Sequence, residues 1–178
     1  MRFKGSYLFG VLVLLLVSSC SHKTQQNAVH PVFGVETVDR SRYLEKNRCK
    51  LDKHQYALIE ESLTWLGTPY VYGGDAKGKG TDCSGMVLRV YLETLQVELP
   101  RNSAKQAEAC KHVKKEHLKP GDLVFFATGK DSDRISHVGI MLTDEEFIHA
   151  SSSKGVVISN LTTPYYIRTF KKGGRVKR

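Results

Sequence analysis

A single cysteine stands between a glycine-rich loop and a long apolar run in Gly80-Thr81-Asp82-Cys83-Ser84-Gly85-Met86-Val87. Asp82 occupies the N-cap position of the helix that this run predicts, which puts Cys83 in the first turn. There the positive end of the helix dipole and unpaired backbone N–H groups favour thiolate over thiol. The same N–H groups can receive the negative oxygen that forms when a carbonyl is attacked, so one helix end serves as nucleophile mount and as part of an oxyanion hole. Gly85 keeps that end open. A cysteine that only fills core space is the commoner alternative. Two histidines favour the chemical reading: Ser136-His137-Val138-Gly139-Ile140 opens one strand-like run, and Phe147-Ile148-His149-Ala150-Ser151 closes the next. In an antiparallel hairpin, residues opposite or diagonal on one face touch, so the right register sets His137 beside His149 and a slip of one residue separates them. His137 is then the base and His149 the group that fixes its tautomer. Gly139, on the face of His137, is expected to let the central helix approach.

These residues need an α+β frame. Tyr56, Ile59, Leu63 and Leu66 recur at helical steps opposite Glu60, Glu61 and Thr64, predicting a helix from Lys53 to Leu66 that Gly67-Thr68-Pro69 ends. From Cys83 to Leu95 only Arg89, Glu93 and Gln96 make a polar stripe, as in a central buried helix. A shorter helix is expected over Ser103–Cys110. After Pro120-Gly121 the pattern turns to strands over Asp122–Ala127, Ser136–Leu142, Glu146–Ser151 and Gly155–Ser159, with a last one near Val176 and turns at 129–133, 143–145, 152–155 and Thr163-Pro164. Helices first and an antiparallel sheet second indicate one α+β domain over residues 51–178, of ~125 residues and large enough for one core.

Arg2 and Lys4 precede an apolar segment, Tyr7 to Val17, that is short for a bilayer-spanning helix and suits a signal peptide. It ends in Leu16-Val17-Ser18-Ser19-Cys20, which resembles the lipobox of bacterial lipoproteins. Residues 1–19 are therefore expected to be removed, Cys20 to carry lipid, and the polar stretch 20–50 to act as a tether. An ordinary signal peptide cut nearby is the alternative. The 27 basic and 18 acidic side chains give +9, and losing Arg2 and Lys4 with the leader leaves +7. In an exported chain such charge would meet anionic lipid and the carboxylates of wall peptides instead of nucleic acid, but a solvated basic surface accounts for it equally well, so charge alone names no partner. With Cys20 lipidated, Cys49, Cys83 and Cys110 remain, an odd count outside the cytoplasm that leaves at least one thiol free. If Cys83 is that thiol, Cys49 and Cys110 are left to pair. No C-x-x-C spacing suggests a structural metal.

Pro69-Tyr70-Val71-Tyr72-Gly73-Gly74, Gly80-Thr81-Asp82-Cys83-Ser84-Gly85, His137-Val138-Gly139-Ile140 and Phe147-Ile148-His149-Ala150-Ser151, in that order, resemble the NlpC family of bacterial cell-wall cysteine peptidases. Leu99-Pro100-Arg101 and Pro120-Gly121-Asp122-Leu123-Val124-Phe125-Phe126 look like its linking segments. Ser153 to Ser159 and Pro164-Tyr165-Tyr166 look like its lipoprotein members of the murein endopeptidase type. The resemblance implies a papain-like α+β core, with Cys83 as nucleophile, His137 as base and His149 as third residue. It further implies that Tyr70 points its hydroxyl at the site and helps to hold the oxyanion. Asp82 and Ser84 would line the substrate cleft as in relatives that read the amino end of a stem peptide, although Asp82 is equally accounted for as an N-cap. No metal or organic cofactor is required. The expected protein hydrolyses amide bonds of peptidoglycan stems or cross-links from the extracytoplasmic side of the cell envelope. It acts as a lipid-anchored monomer, at the outer membrane if the source is Gram-negative. A catalytically silent wall-binding lipoprotein and an acyltransferase using the same thioester are the alternatives.

Overall fold

The computed structural model describes residues 43–44 and 50–177. The expected leader, Cys20, most of the tether and Cys49 lie outside the described residues. Helix α1 (Lys53–Leu63) starts with a capping box, in which Asp52 accepts from the N–H groups of His54 and Gln55 while Gln55 returns a bond to the Asp52 N–H. It buries Leu58, Ile59, Ser62 and Leu63 and stops three residues before Leu66. The chain then tightens into turns: Thr64 N–H donates to Glu61 O, and the buried Trp65 donates its indole N–H to Glu61 Oε1 at 3.0 Å.

The glycine-rich loop folds into a two-stranded hairpin, β1 (Asp75–Ala76) and β2 (Gly80–Thr81), in front of α2 (Cys83–Leu95). In α2 the residues Met86, Val87 and Val90 are fully buried. Each contributes about 1.5–3 kcal/mol by leaving water. Arg89 and Glu93 pair on the outer side, and Gln96 ends the helix in the left-handed conformation at φ 56°. Helix α3 (Ser103–Ala109), capped by Asn102, is one residue shorter than expected because Cys110 turns extended and begins a strand.

That strand, β3 (Cys110–Val113), belongs to a six-stranded sheet completed by β4 (Leu123–Phe126), β5 (His137–Met141), β6 (Glu146–Ser151), β7 (Gly155–Asn160) and β8 (Phe170–Val176). All pairings are antiparallel, and the order is β3-β8-β4-β5-β6-β7. The strand at the end of the described chain thus sits inside the sheet. Leu123, Phe125, Val138, Ile140, Ile148 and Ala150 point to the face that packs on α1 and α2, and Tyr43 is buried in the same core. Val124, Phe126, Met141 and Phe147 point to the other face, which is closed by Leu118, Leu161, Tyr166 and Phe170. Tyr166 and its neighbours form α4 (Pro164–Thr169), which the sequence pattern presented only as a turn at Thr163-Pro164. Proline fits the first turn of a helix as well as a turn, so Pro164 starts this helix instead of ending the chain's regularity.

Candidate active site

The N-terminus of α2 and the adjoining ends of β5 and β6 meet at a cleft. Cys83, in the first turn of α2, is buried at 7% exposure. It lines two cavities together with Tyr70 and Ser136. One, of about 560 Å³, also holds His137, His149, Lys154, Ser159, Tyr165 and Tyr166. The other, of about 680 Å³, runs past Asp82, Ser84, Arg101, Lys130 and Arg134. The three residues expected to act together therefore border one space.

The histidine pair has the diagonal geometry. Ile140 faces Ile148 and Met141 faces Phe147, so alternation puts His137, Gly139, Phe147 and His149 on one face of the sheet. His137 Nε2 lies 2.8 Å from His149 Nδ1, with the rings edge to face. His137 Nδ1 makes no hydrogen bond among the described residues. On its far side, His149 Nε2 lies 2.9 Å from Ser159 Oγ and 3.0 Å from the Tyr166 hydroxyl.

Gly139 does not serve the helix. A Cβ there would meet Phe147 Cδ2 at 2.6 Å, Ile148 O at 2.9 Å and His149 Cβ at 3.2 Å. This glycine lies on the face away from α2, and its missing side chain makes room for the ring of Phe147 and the stem of His149 on β6.

Burial dominates the protonation of the site. It pushes the Cys83 thiol up to about 11, with the Asp82 carboxylate adding to the rise. N–H groups of Val138, Ser84 and Cys83 itself pull the other way. The helix end does favour thiolate as expected, but desolvation outweighs it. Desolvation lowers His137 to about 4, and it lowers His149 to about 3 with help from the neighbouring His137. The resting site is thus a thiol beside two neutral imidazoles. The Val138 N–H acting on the sulfur also shows how near Cys83 lies to the residue after His137. Tyr70 is raised by burial and then by the Cys83 and Asp82 charges, which puts its hydroxyl in the same neighbourhood.

Asp82 carries five bonds on two oxygens. Oδ1 accepts from the Gly85 N–H at 2.8 Å, from the Ser84 hydroxyl at 3.1 Å and from Arg101 at 2.7 Å. Oδ2 accepts from the Gly73 N–H at 2.8 Å and from the other Arg101 nitrogen at 3.0 Å. Burial alone would raise this carboxyl, but the Arg101 guanidinium and the two N–H groups hold it below the usual range. Ser84 is similarly occupied, accepting from Arg101 as well as donating to its carbonyl or to Asp82. Arg101 also donates to Gly74 O, locking the tyrosine-glycine loop to the helix end. Arg101 looked like a family linking segment in the sequence, and nothing in its spacing announced this role. Behind α2, Gln106 donates to the Ser84 and Pro100 carbonyls from a fully buried position.

Among the described residues no group of three His, Cys, Asp or Glu side chains is placed to hold a metal ion. Cys110 carries a free, buried thiol. Its expected partner in a disulfide, Cys49, lies outside the described residues.

The family model described as NlpC/P60 matches residues 67–175, which is most of the packed domain. This chain belongs to the NlpC/P60 family. It is 34% identical over 171 residues, covering 93% of this chain and 89% of the other, to the "Murein DD-endopeptidase MepS/Murein LD-carboxypeptidase" of Escherichia coli. It is 41% identical over 119 residues, 67% of this chain and 73% of the other, to a "Probable endopeptidase" of Haemophilus influenzae. The crystal structure of an NlpC/P60 family protein from Bacillus cereus superposes with a TM-score of 0.63 at 34% identity, over 68% of this chain and 39% of that one. The match spans about two fifths of that solved chain. The NlpC/P60 domain accordingly supplies the antiparallel sheet and the helix that carry the cleft, and the fold is papain-like.

Proposed function

We propose that this chain is a cysteine peptidase that hydrolyses peptide amide bonds of peptidoglycan. Cys83 is the nucleophile, His137 the base and His149 the residue that orients it. The observation that carries this reading is the 2.8 Å contact of His137 Nε2 with His149 Nδ1, which leaves His137 Nδ1 for the cavity that Cys83 borders. Because thiol and imidazole are both neutral at rest, the proton passes from Cys83 to His137 as sulfur attacks the carbonyl. The oxyanion is received by N–H groups at the start of α2, with the Tyr70 hydroxyl beside them. His137 then gives the proton to the departing amine, and a water that it activates cleaves the thioester.

Similarity along nearly the whole chain to a murein DD-endopeptidase supports a cross-link or stem bond as the target. Asp82 and Ser84 are tied to Arg101 and the loop, which holds the nucleophile's helix in place, and both still border the cleft where a substrate would lie. Cys20, by its place after Leu16-Val17-Ser18-Ser19, is the lipid attachment point that keeps the enzyme at a membrane surface next to the wall. The deciding experiment is digestion of purified peptidoglycan with wild type and Cys83→Ala, read by mass spectrometry of the products. Hydrolysis products carrying one added water per bond are expected from wild type alone. Activity in Cys83→Ala would refute the mechanism. Full membrane association of Cys20→Ala would refute the anchor.

A further inference from the structure

The geometry points to Ser159 and Tyr166 as a shared acceptor that stabilises the charged form of the histidine pair, each able to replace the other. This rests on the proposal that His137 is the base. When the Cys83 sulfur forms its bond to the carbonyl carbon, its proton moves to His137 Nδ1, and the resulting imidazolium donates its Nε2 proton toward His149 Nδ1. For His149 Nδ1 to accept, the one proton of that neutral ring must sit on Nε2. It then needs an acceptor, and it is 2% exposed, so water does not supply one.

Two hydroxyls stand at that atom. Ser159 lies on β7, where Val157 faces His149 and Ser159 faces Phe147, so His137, His149 and Ser159 form a diagonal across three neighbouring strands. Tyr166 reaches the same nitrogen from α4, with its ring held edge-on against Phe147 at 4.8 Å and tilted against Phe126 at 5.2 Å. The other titratable groups of this cavity are Tyr70, Cys83, Lys154 and Tyr165, so among the described residues no carboxylate lines it beside the pair. A hydroxyl can turn to accept from Nε2–H or to donate to a bare Nε2. Two of them satisfy His149 whether the pair is neutral or carries the proton taken from Cys83. They do so without a fixed negative charge that would hold His137 protonated before substrate arrives.

The arrangement predicts redundancy. Tyr166→Phe keeps the packed ring, and Ser159→Ala keeps the strand, so each single variant retains one acceptor and should hold kcat within about threefold of wild type. The double variant leaves Nε2–H without a partner and should lose about 10- to 100-fold in kcat with KM unchanged, the range of one charge-assisted hydrogen bond. Its acid limb in the pH–rate profile should move to lower pH, because an imidazolium deprived of its acceptor chain loses its proton more readily. Kinetics on one defined muropeptide that the wild type cleaves, with melting curves alongside, test this. Should the double variant unfold, Tyr166→Phe combined with Ser159→Thr is compared with Tyr166→Phe combined with Ser159→Val, which match in shape and differ by one hydroxyl. The Thr protein should be at least about tenfold faster. Wild-type kcat and an unmoved acid limb in the double variant, or single variants as slow as the double, would overturn the inference. Persisting activity in His137→Ala would instead overturn the underlying assignment of the base.

Discussion

Acidification should destabilise this protein before it protonates any buried carboxylate. His137 and His149 have folded pKa values lowered to about 4 and about 3, against ~6.5 in the unfolded chain. Between pH 6.5 and those lower values the unfolded chain binds two protons that the folded one refuses, so stability rises with pH and falls as pH drops. Each refused proton costs ~1.4 kcal/mol per pH unit, so moving from pH 6.5 to pH 5 removes ~2 kcal/mol per histidine and at most ~4 kcal/mol for the pair. That is a large share of the 5–15 kcal/mol typical of a domain. Asp82, whose pKa is lowered, adds stability that is lost only below the ordinary carboxylate range, and the raised Cys83 and Cys110 matter only at alkaline pH. The window from 6.5 to 5 therefore belongs to the buried imidazoles. Urea unfolding at pH 7 and pH 5 measures the loss in wild type and in a His137→Gln, His149→Gln double variant. The double variant should lose up to ~4 kcal/mol less than wild type over that interval. Equal losses in the two proteins would show that the histidines are not held neutral by burial, and the account of the resting site would fall with them.

Three further outcomes follow from named contacts. His149→Ala should lower kcat by roughly 10- to 150-fold with little change in KM, the worth of one hydrogen bond to a charged imidazole, and His149→Gln should recover part of it through its carbonyl; steady-state kinetics decide. Gly139→Ala should cost about 1–3 kcal/mol in unfolding and reduce turnover, because the added methyl meets Phe147, Ile148 O and the His149 stem. Arg101→Met should cost about 1–3 kcal/mol in stability by leaving the 6%-exposed Asp82 without its cation, measured as a lower midpoint in denaturant.

Most of the candidate site's geometry was legible because it rests on short-range patterns. Asp82 before an apolar run marks a helix start, and the alternation around His137 and His149 fixes a shared face once the strands pair. Both depend on residues within a hairpin or a turn. What escaped depends on distant partners. Arg101 reaches Asp82 across 19 positions, and Ser159 and Tyr166 become neighbours of His149 only when a third strand and a helix close on it. The last strand was expected near Val176 and β8 ends there, but its start at Phe170 was not marked, because the lysines and glycines of Lys171-Lys172-Gly173-Gly174 obscure the alternation. Its glycines are there because Leu118, Val113 O, Cys110 and Phe125 lie within 3 Å of where a Cβ would stand. The role assigned to Gly139 was misplaced for a related reason: the face was read correctly, but the strand behind it, and not the helix, occupies it.

The position of β8 between β3 and β4 also has a bearing on timing. A chain that emerges N-terminus first can close the β5–β6–β7 meander from local contacts, yet β3 and β4 have no strand between them until residue 176 is free. Until then the backbone edge of β4 is unpaired, and Phe126, whose ring lies 6.0 Å from that of His137, lacks the Phe170 that backs it. Assembly of the cleft therefore waits until residues 170–176 have emerged and inserted between β3 and β4. A product that stops before Phe170 would leave the β3 and β4 edges unpaired and open to other chains, making it prone to aggregate.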